Sequence, residues 1–339
     1  LGILVWQDFM FACAMYPSDS LFLENIQQEA IYNIKRLRHH PSIALWCGNN
    51  ESSEGWKRWG WQDPYTENQK VAIWSGYQKV FKQILPKMIS MHSQSAYWES
   101  SPKFGRGNTQ HQFVGDSHYW GVWHDGEPFE KFEKKVPRFM SEFGFQSFPQ
   151  ISTIRSFADS TDLYLDSDPL RNHQKHPRGN ALILEYLERE YNVPQDFKKF
   201  VYASQLLQSK GMQIGMEAHR RSYPYCMGTL YWQLNDCWPA ASWSSRDYFG
   251  NWKAMHYMAQ DVFNPIILSL IKTKKNTFEL WAVSDTEEFL DTLIVTKMNL
   301  NGEIISVRKK IIQINMGGKI IDTLPFCKDN EFIICALKQ

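Results

Sequence analysis

No charge of either sign dominates this sequence of 339 residues: 37 Lys and Arg stand against 36 Asp and Glu, a formal net charge of +1. That balance removes any reason to expect nucleic acid or another polyanion as partner. No apolar run approaches the roughly 20 residues of a membrane span, so no membrane partner is expected. Cysteine is scarce. The six residues, Cys13, Cys47, Cys226, Cys237, Cys327 and Cys335, include no Cys-x-x-Cys pair. A zinc ribbon and a thioredoxin-type motif are thereby excluded, and the residues are too sparse for a disulfide scaffold. His-Glu-x-x-His, Gly-x-Ser-x-Gly, Gly-x-Gly-x-x-Gly and Walker patterns are absent. Nor does any metal-ligand cluster stand out, and neither metal nor cofactor is expected. An initiating Met is also lacking. Leu1-Gly2-Ile3-Leu4-Val5-Trp6 opens on a strand-like apolar run, so residue 1 is expected to lie inside a longer chain. The lack of a signal peptide then carries no weight, and compartment and oligomeric state stay open.

Aromatics are what the sequence has in plenty, at 15%, with 14 Trp. Such rings suit a core, and they equally suit stacking on flat ligands or sugar rings. Thirteen of the Trp precede residue 263, and only Trp281 follows it. Up to that point short apolar runs alternate with helical patterns. Ile3 to Trp6 and Ile43 to Cys47 read as buried strands, with weaker ones at 95–99 and 114–118 and a better one at 139–143. Asp19 or Ser18 is placed to cap a helix carrying Leu23, Ile26, Ala30, Ile31, Ile34 and Leu37, stopped by His39-His40-Pro41. A second helix carries Val71, Trp74, Tyr77, Val80, Phe81 and Ile84, and Pro86 marks its expected end. Helices are expected again over about 179–191, 196–222 and 251–262, with a strand at 227–234. Strands alternating with helices imply parallel pairing through crossovers. In a parallel barrel, polar residues just after each strand share one face, and that face carries the site. Beyond 263 the pattern turns to short β runs at 266–271, 277–283, 290–298, 304–307, 311–314 and 332–336. Asn301-Gly302 signals a type I′ hairpin. The expected division is 1–263 and 264–339, the second part an antiparallel sandwich.

Glu51 and Glu142 each follow an apolar strand and sit among aromatic and small residues rather than in a charge run. Two carboxylates across a cleft are what glycoside hydrolysis needs: one protonates the departing oxygen, the other attacks the anomeric carbon or activates water. By spacing alone, two solvated surface residues remain the more ordinary reading. His39 and His40 suit a helix C-terminus, and Glu217 to Arg221 reads as an ion-paired face. Asp8 can line a cleft or cap a turn. Trp56, Trp59 and Trp61, read as lying in a Gly-containing loop after Glu51, suit either a core or a sugar platform, as do Trp120 and Trp123.

Trp46-Cys47-Gly48-Asn49-Asn50-Glu51 and Met140-Ser141-Glu142-Phe143-Gly144-Phe145-Gln146-Ser147 resemble the β-mannosidases of glycoside hydrolase family 2. Trp6 to Cys13, Ile34 to Arg38, Thr229 to Asp236 and Gly250 to Lys253 extend the resemblance across the barrel region in the family's order. It implies a (β/α)8 TIM barrel lacking its first two strands over 1–263, and part of an immunoglobulin-like β-sandwich over 264–339. It further implies a retaining exo-glycosidase acting on terminal β-mannose. Glu51 would be the acid/base and Glu142 the nucleophile. Asn50 would hydrogen-bond the sugar 2-hydroxyl, Trp59 and Trp232 would be subsite aromatics, and His118, Tyr119, Trp120 and Trp123 would lie near the cleft. The family's N-terminal domains have no counterpart here, so the rest of a parent chain is the expected partner beside a β-mannoside substrate. A periplasmic, secreted or lysosomal setting is what the resemblance suggests. The alternatives are another exo-glycosidase of the family (a β-galactosidase, β-glucuronidase or exo-β-glucosaminidase) and an inactive fragment or carbohydrate-binding pseudo-enzyme.

Overall fold

The computed structural model describes residues 2–105, 107–273, 277–286 and 288–338. They divide into two compact units, one of residues 1–118 and 137–141, the other of 119–136 and 142–339. Among the described residues no helix is long and apolar enough to cross a membrane.

The first unit is built on three parallel strands, β1 (Val5–Asp8), β2 (Ile43–Cys47) and β3 (Ala96–Trp98), in that spatial order. Parallel neighbours require crossovers. Helix α1 (Ser20–Leu37) makes the first, and its start follows from Asp19, whose carboxylate accepts the Phe22 N–H at 3.0 Å. The apolar spacing turns Ile26, Ala30 and Ile34 inward, with Ile34 wholly buried. They pack on Trp46, Tyr77, Phe81, Leu85 and Ile89.

The second crossover differs from expectation. Pro86 does not end the helix. Helix α2 (Ser52–Arg58) is followed by α3 (Glu67–Gln78), which runs through a π-helical stretch, Lys79–Ile84, into α4 (Leu85–His92). The Leu85 N–H reaches back to the Val80 carbonyl. A wider turn there accommodates a proline, which has no N–H and crowds the carbonyl one turn back. Trp56 also departs from the loop reading: it lies within α2 and is 4% exposed. The 114–118 and 139–143 runs shorten to β4 (Ser117–His118) and β5 (Met140–Glu142), which pair.

In the second unit the helix Phe197–Arg221 packs on a group of aromatic rings that includes Phe129, Phe132 and Phe143. Gly215 permits this, since a Cβ there would lie 2.7 Å from the Phe143 ring. Residues 227–234 are not a strand. The segment bends at Trp232 and Leu234 and makes isolated bonds, Trp232 N–H to Phe143 O at 2.8 Å and Gln233 N–H to Trp243 O at 3.3 Å, instead of a ladder.

Two antiparallel three-stranded sheets follow in that unit. One is ordered β10 (Gly317–Pro325), β7 (Thr277–Ser284), β6 (Ile266–Lys272). The other is ordered β11 (Glu331–Leu337), β8 (Phe289–Asn299), β9 (Ile304–Ile314). Leu280, Ala282, Leu293, Val295, Ile312, Ile314 and Leu324 form their common core. β9 is one strand, not two. Arg308-Lys309-Lys310 reads as a break but is tolerated on an exposed edge strand, where Lys310 Nζ reaches the Ile321 carbonyl at 2.9 Å. β10 escapes the sequence pattern because Gly317-Gly318 and Pro325 bracket a short apolar stretch. The β8–β9 turn is not type I′, which needs two left-handed residues. Only Gly302 is left-handed there, at φ 85°. Its N–H bonds Asn299 O at 3.0 Å, and the Asn299 side chain accepts from the Asn301 and Glu303 N–H groups.

Candidate active site

In the first unit, the chain leaving β2 passes Gly48, where a Cβ would meet the Tyr97 hydroxyl and the Glu99 carbonyl. The two asparagines that follow do different things. Asn49 is wholly buried; its amide donates to Glu99 O at 3.0 Å, and its oxygen accepts from the Ser52 N–H and the Ser100 hydroxyl. It fixes the start of α2. Asn50 bridges to Ala12 and Ser101 through its backbone, and its amide lies 3.7 Å from Cys13 Sγ.

Glu51 sits at φ 61°, ψ 0°, a left-handed conformation that costs a non-glycine residue about 1 kcal/mol or more. Its N–H donates to Ser101 O at 2.7 Å, and its carbonyl accepts from Gly55 at 2.8 Å, so both sides of the turn are pinned. The side chain is 13% exposed. Oε1 lies 2.8 Å from His118 Nδ1, and Oε2 lies 3.5 Å from Cys13 Sγ. Thus Glu51, Asn50 and His118 come together in this unit. Trp59, at the C-terminal end of α2, is 48% exposed and meets Trp61 edge-on at 5.6 Å.

Behind His118 stands a polar set that no motif announced. Its Nε2 is 2.9 Å from Ser101 Oγ, which lies 2.6 Å from Asp116 Oδ2. Asp8, at the end of β1, accepts from the Trp6 indole at 2.8 Å.

In the second unit, Glu142 ends β5. Its Oε1 accepts the Trp120 indole N–H at 2.9 Å, and its carbonyl accepts the Tyr119 N–H at 2.9 Å. Gly144 is required two residues on, because a Cβ would collide with the Trp232 carbonyl and lie 3.0 Å from Trp120 and 3.1 Å from Trp243. Its lack of a side chain lets those three tryptophans approach the backbone at Gly144, two residues beyond Glu142. Trp232 keeps 45% of its surface exposed. Trp243 meets Trp120 edge-on at 6.1 Å; no sequence signal beyond its type singled it out.

Tyr119 and Trp123 lie elsewhere. Tyr119 is 2% exposed, with its hydroxyl on Glu127 and its ring against Phe132. Trp123 is wholly buried among Phe145, His176 and Trp243. Both serve the core in this structure; the turn at Gly121–His124, with Trp123 at φ 95°, carries the Trp123 ring inward.

No family model matches the sequence. The chain is 34% identical over 335 residues to a protein named β-mannosidase B from Aspergillus terreus, covering 92% of this chain and 40% of that protein. It is 36% identical over 311 residues to a protein of the same name from Aspergillus niger, covering 85% and 37%. Among solved structures, the β-D-mannosidase from Dictyoglomus thermophilum superposes with a TM-score of 0.88 at 34% identity, over 99% of this chain and 41% of that one. An exo-chitosanase from Amycolatopsis orientalis shares the fold, with a TM-score of 0.71 at 16% identity. The chain is therefore a relative of the β-mannosidases along nearly its whole length. It spans about two fifths of the length of those relatives.

Proposed function

We propose that this chain is the catalytic portion of a retaining exo-β-mannosidase, with Glu142 as nucleophile and Glu51 as acid/base. Residues 1–263 are then part of a (β/α)8 barrel. Parallel pairing of β1, β2 and β3, with Glu51 just beyond β2 and Glu142 at the end of β5, supports that reading. Residues 264–339 make the sandwich that follows.

The observation that carries the proposal is the environment of each carboxylate. Glu142 has one oxygen held by an indole N–H at 2.9 Å, which fixes its direction without supplying a proton to the reaction. That suits attack on the anomeric carbon to form a mannosyl-enzyme. Glu51 lies 2.8 Å from an imidazole nitrogen, a partner that tolerates either protonation state. That suits a group that first protonates the leaving oxygen and later takes a proton from water. In this reading Asn50 bonds the axial 2-hydroxyl, and the exposed rings of Trp59 and Trp232 pack on pyranose faces.

The full-length protein should release nitrophenol from 4-nitrophenyl β-D-mannoside and yield the β-anomer of mannose first, as followed by proton NMR. Glu142→Ala should lower kcat by about 10⁴-fold or more, in the range expected for loss of a covalent nucleophile. First formation of the α-anomer rejects the retaining mechanism. Preference for a β-galactoside or β-glucuronide rejects mannose as the substrate, and no turnover of any aryl glycoside favours a binding or pseudo-enzyme role.

A further inference from the structure

We propose that Asp116 and Ser101 are positioning residues for the acid/base carboxylate: through them His118 is held with Nε2–H toward Ser101 and Nδ1 toward Glu51. The proposal rests on Glu51 being the acid/base.

Asp116 is 3% exposed, and four donors occupy its two oxygens. The Trp98 indole at 2.9 Å and the Lys103 N–H at 2.7 Å meet Oδ1. The Ser101 hydroxyl at 2.6 Å and the Ser141 hydroxyl at 2.7 Å meet Oδ2. A carboxylate so filled accepts and has nothing to give. Ser101 Oγ also lies 3.5 Å from Ser141 Oγ, and its single hydroxyl hydrogen goes to the much nearer Asp116 oxygen at 2.6 Å. At 2.9 Å from His118 Nε2, Ser101 Oγ can then act only as acceptor, which puts a hydrogen on Nε2. The other ring nitrogen, Nδ1, is left for Glu51 Oε1 at 2.8 Å.

That last contact needs one proton, carried by Glu51 or by His118. With His118 neutral as the Nε2–H tautomer, Nδ1 accepts and the proton is carried on Glu51, the acid form that the first step consumes; with His118 protonated the same geometry holds Glu51 as the carboxylate. Once Glu51 has passed its proton to the leaving oxygen, Oε1 faces a lone pair on Nδ1. That repulsion favours recovery of a proton from the attacking water, and the cycle closes with His118 unchanged. His118 is 3% exposed, so no bulk water replaces these bonds.

Two variants of the full-length protein test this. Ser101→Ala removes the link. Asp116→Asn can present an amide N–H to Ser101, turning its hydroxyl toward Nε2 and reversing the tautomer. Acid assistance matters most for poor leaving groups. Because general acid catalysis supplies roughly 10²–10⁴-fold, each variant should lose about tenfold or more in kcat/KM on phenyl β-D-mannoside and less than about threefold on the 2,4-dinitrophenyl compound. Equal loss on both substrates indicates a merely structural role and overturns the proposal, as does no loss on either. Glu51→Ala is the control. If it splits the substrates and the other variants do not, the relay alone is rejected. If it does not split them, the acid/base assignment fails and takes the relay with it. Should Asp116→Asn fail to melt cooperatively, Ser101→Ala, which removes one hydroxyl and leaves the backbone bonds, decides.

Discussion

At the scale of single residues, the indole of Trp120 holds one oxygen of Glu142 at 2.9 Å. A hydrogen bond to a charged group contributes about 1.5–3 kcal/mol, more than a neutral one. Trp120→Phe keeps an aromatic ring against Trp243 but loses the N–H donated to Glu142 Oε1. The expected result is a fall in kcat/KM of roughly ten- to a hundredfold on 4-nitrophenyl β-D-mannoside, with the melting temperature changed little. An unchanged kcat/KM would show that the bond does not act on the nucleophile. Much at this scale was legible. Glu51 and Glu142 stand in short sequences where a strand ends in small, amide and aromatic residues, and the structure puts Glu51 just beyond β2 and Glu142 at the end of β5. Ser101, Asp116 and Trp243 were not legible. Ser101 reaches His118 from a separate segment and Asp116 acts on it through Ser101, and an isolated polar residue has no period to betray its direction. Tyr119 and Trp123 show the converse. Their types suit a cleft, but only the backbone decides which face of a segment a ring occupies.

At the scale of elements, close backbone approach is the recurring device. Gly215 lies on the helix Phe197–Arg221 where the Phe143 ring reaches its backbone, one residue beyond Glu142. Gly215→Ala has the better helix propensity, worth about 1 kcal/mol in an exposed helix. Here the added methyl would stand 2.7 Å from a ring carbon, so something must shift. Overpacking of a tight core costs about 1–3 kcal/mol and outweighs the propensity gain. Gly215→Ala should therefore lower the midpoint of urea unfolding, and an increase would show that the ring yields freely. Helices such as 20–37 and 197–221 were legible because a buried face repeats every three to four residues. The π turn before Pro86, the unbroken β9 and the missed β10 were not. In each, a tertiary partner overrode the local signal: a core that keeps the helix going past a proline, an edge that tolerates three basic residues, and a sheet that accepts a Gly-Gly start.

At the scale of the whole molecule, two buried bases in the second unit give the fold a preference for alkali. Burial, with Arg221 adding to it, pulls His219 down to about 3, while its Nδ1 meets the Thr229 hydroxyl at 2.8 Å. The unfolded side chain, near 6.5, takes up a proton that the folded one refuses. Stability is therefore full above pH 6.5 and is lost as the pH falls from there toward 3. Burial likewise pulls Lys253 down to about 7, against the partial relief of Asp236 and Asp247. Its Nζ meets two carbonyls, Ser147 O at 3.3 Å and Ser242 O at 3.2 Å. Between about pH 7 and 10.5 the unfolded lysine is protonated and the folded one is not, so stability rises across that window. Both terms have the same sign, and they act in separate ranges. Lys253→Met should flatten the rise of melting temperature above pH 7 and leave the acid limb alone. His219→Asn, which keeps a hydrogen-bonding side chain without a titratable nitrogen, should flatten the limb below pH 6.5 and leave the alkaline one alone. Melting temperatures measured from pH 4 to 10 on the two variants and the double variant check this. If either substitution moved both limbs together, the two buried bases would be coupled through the unit's core and could not be treated as independent.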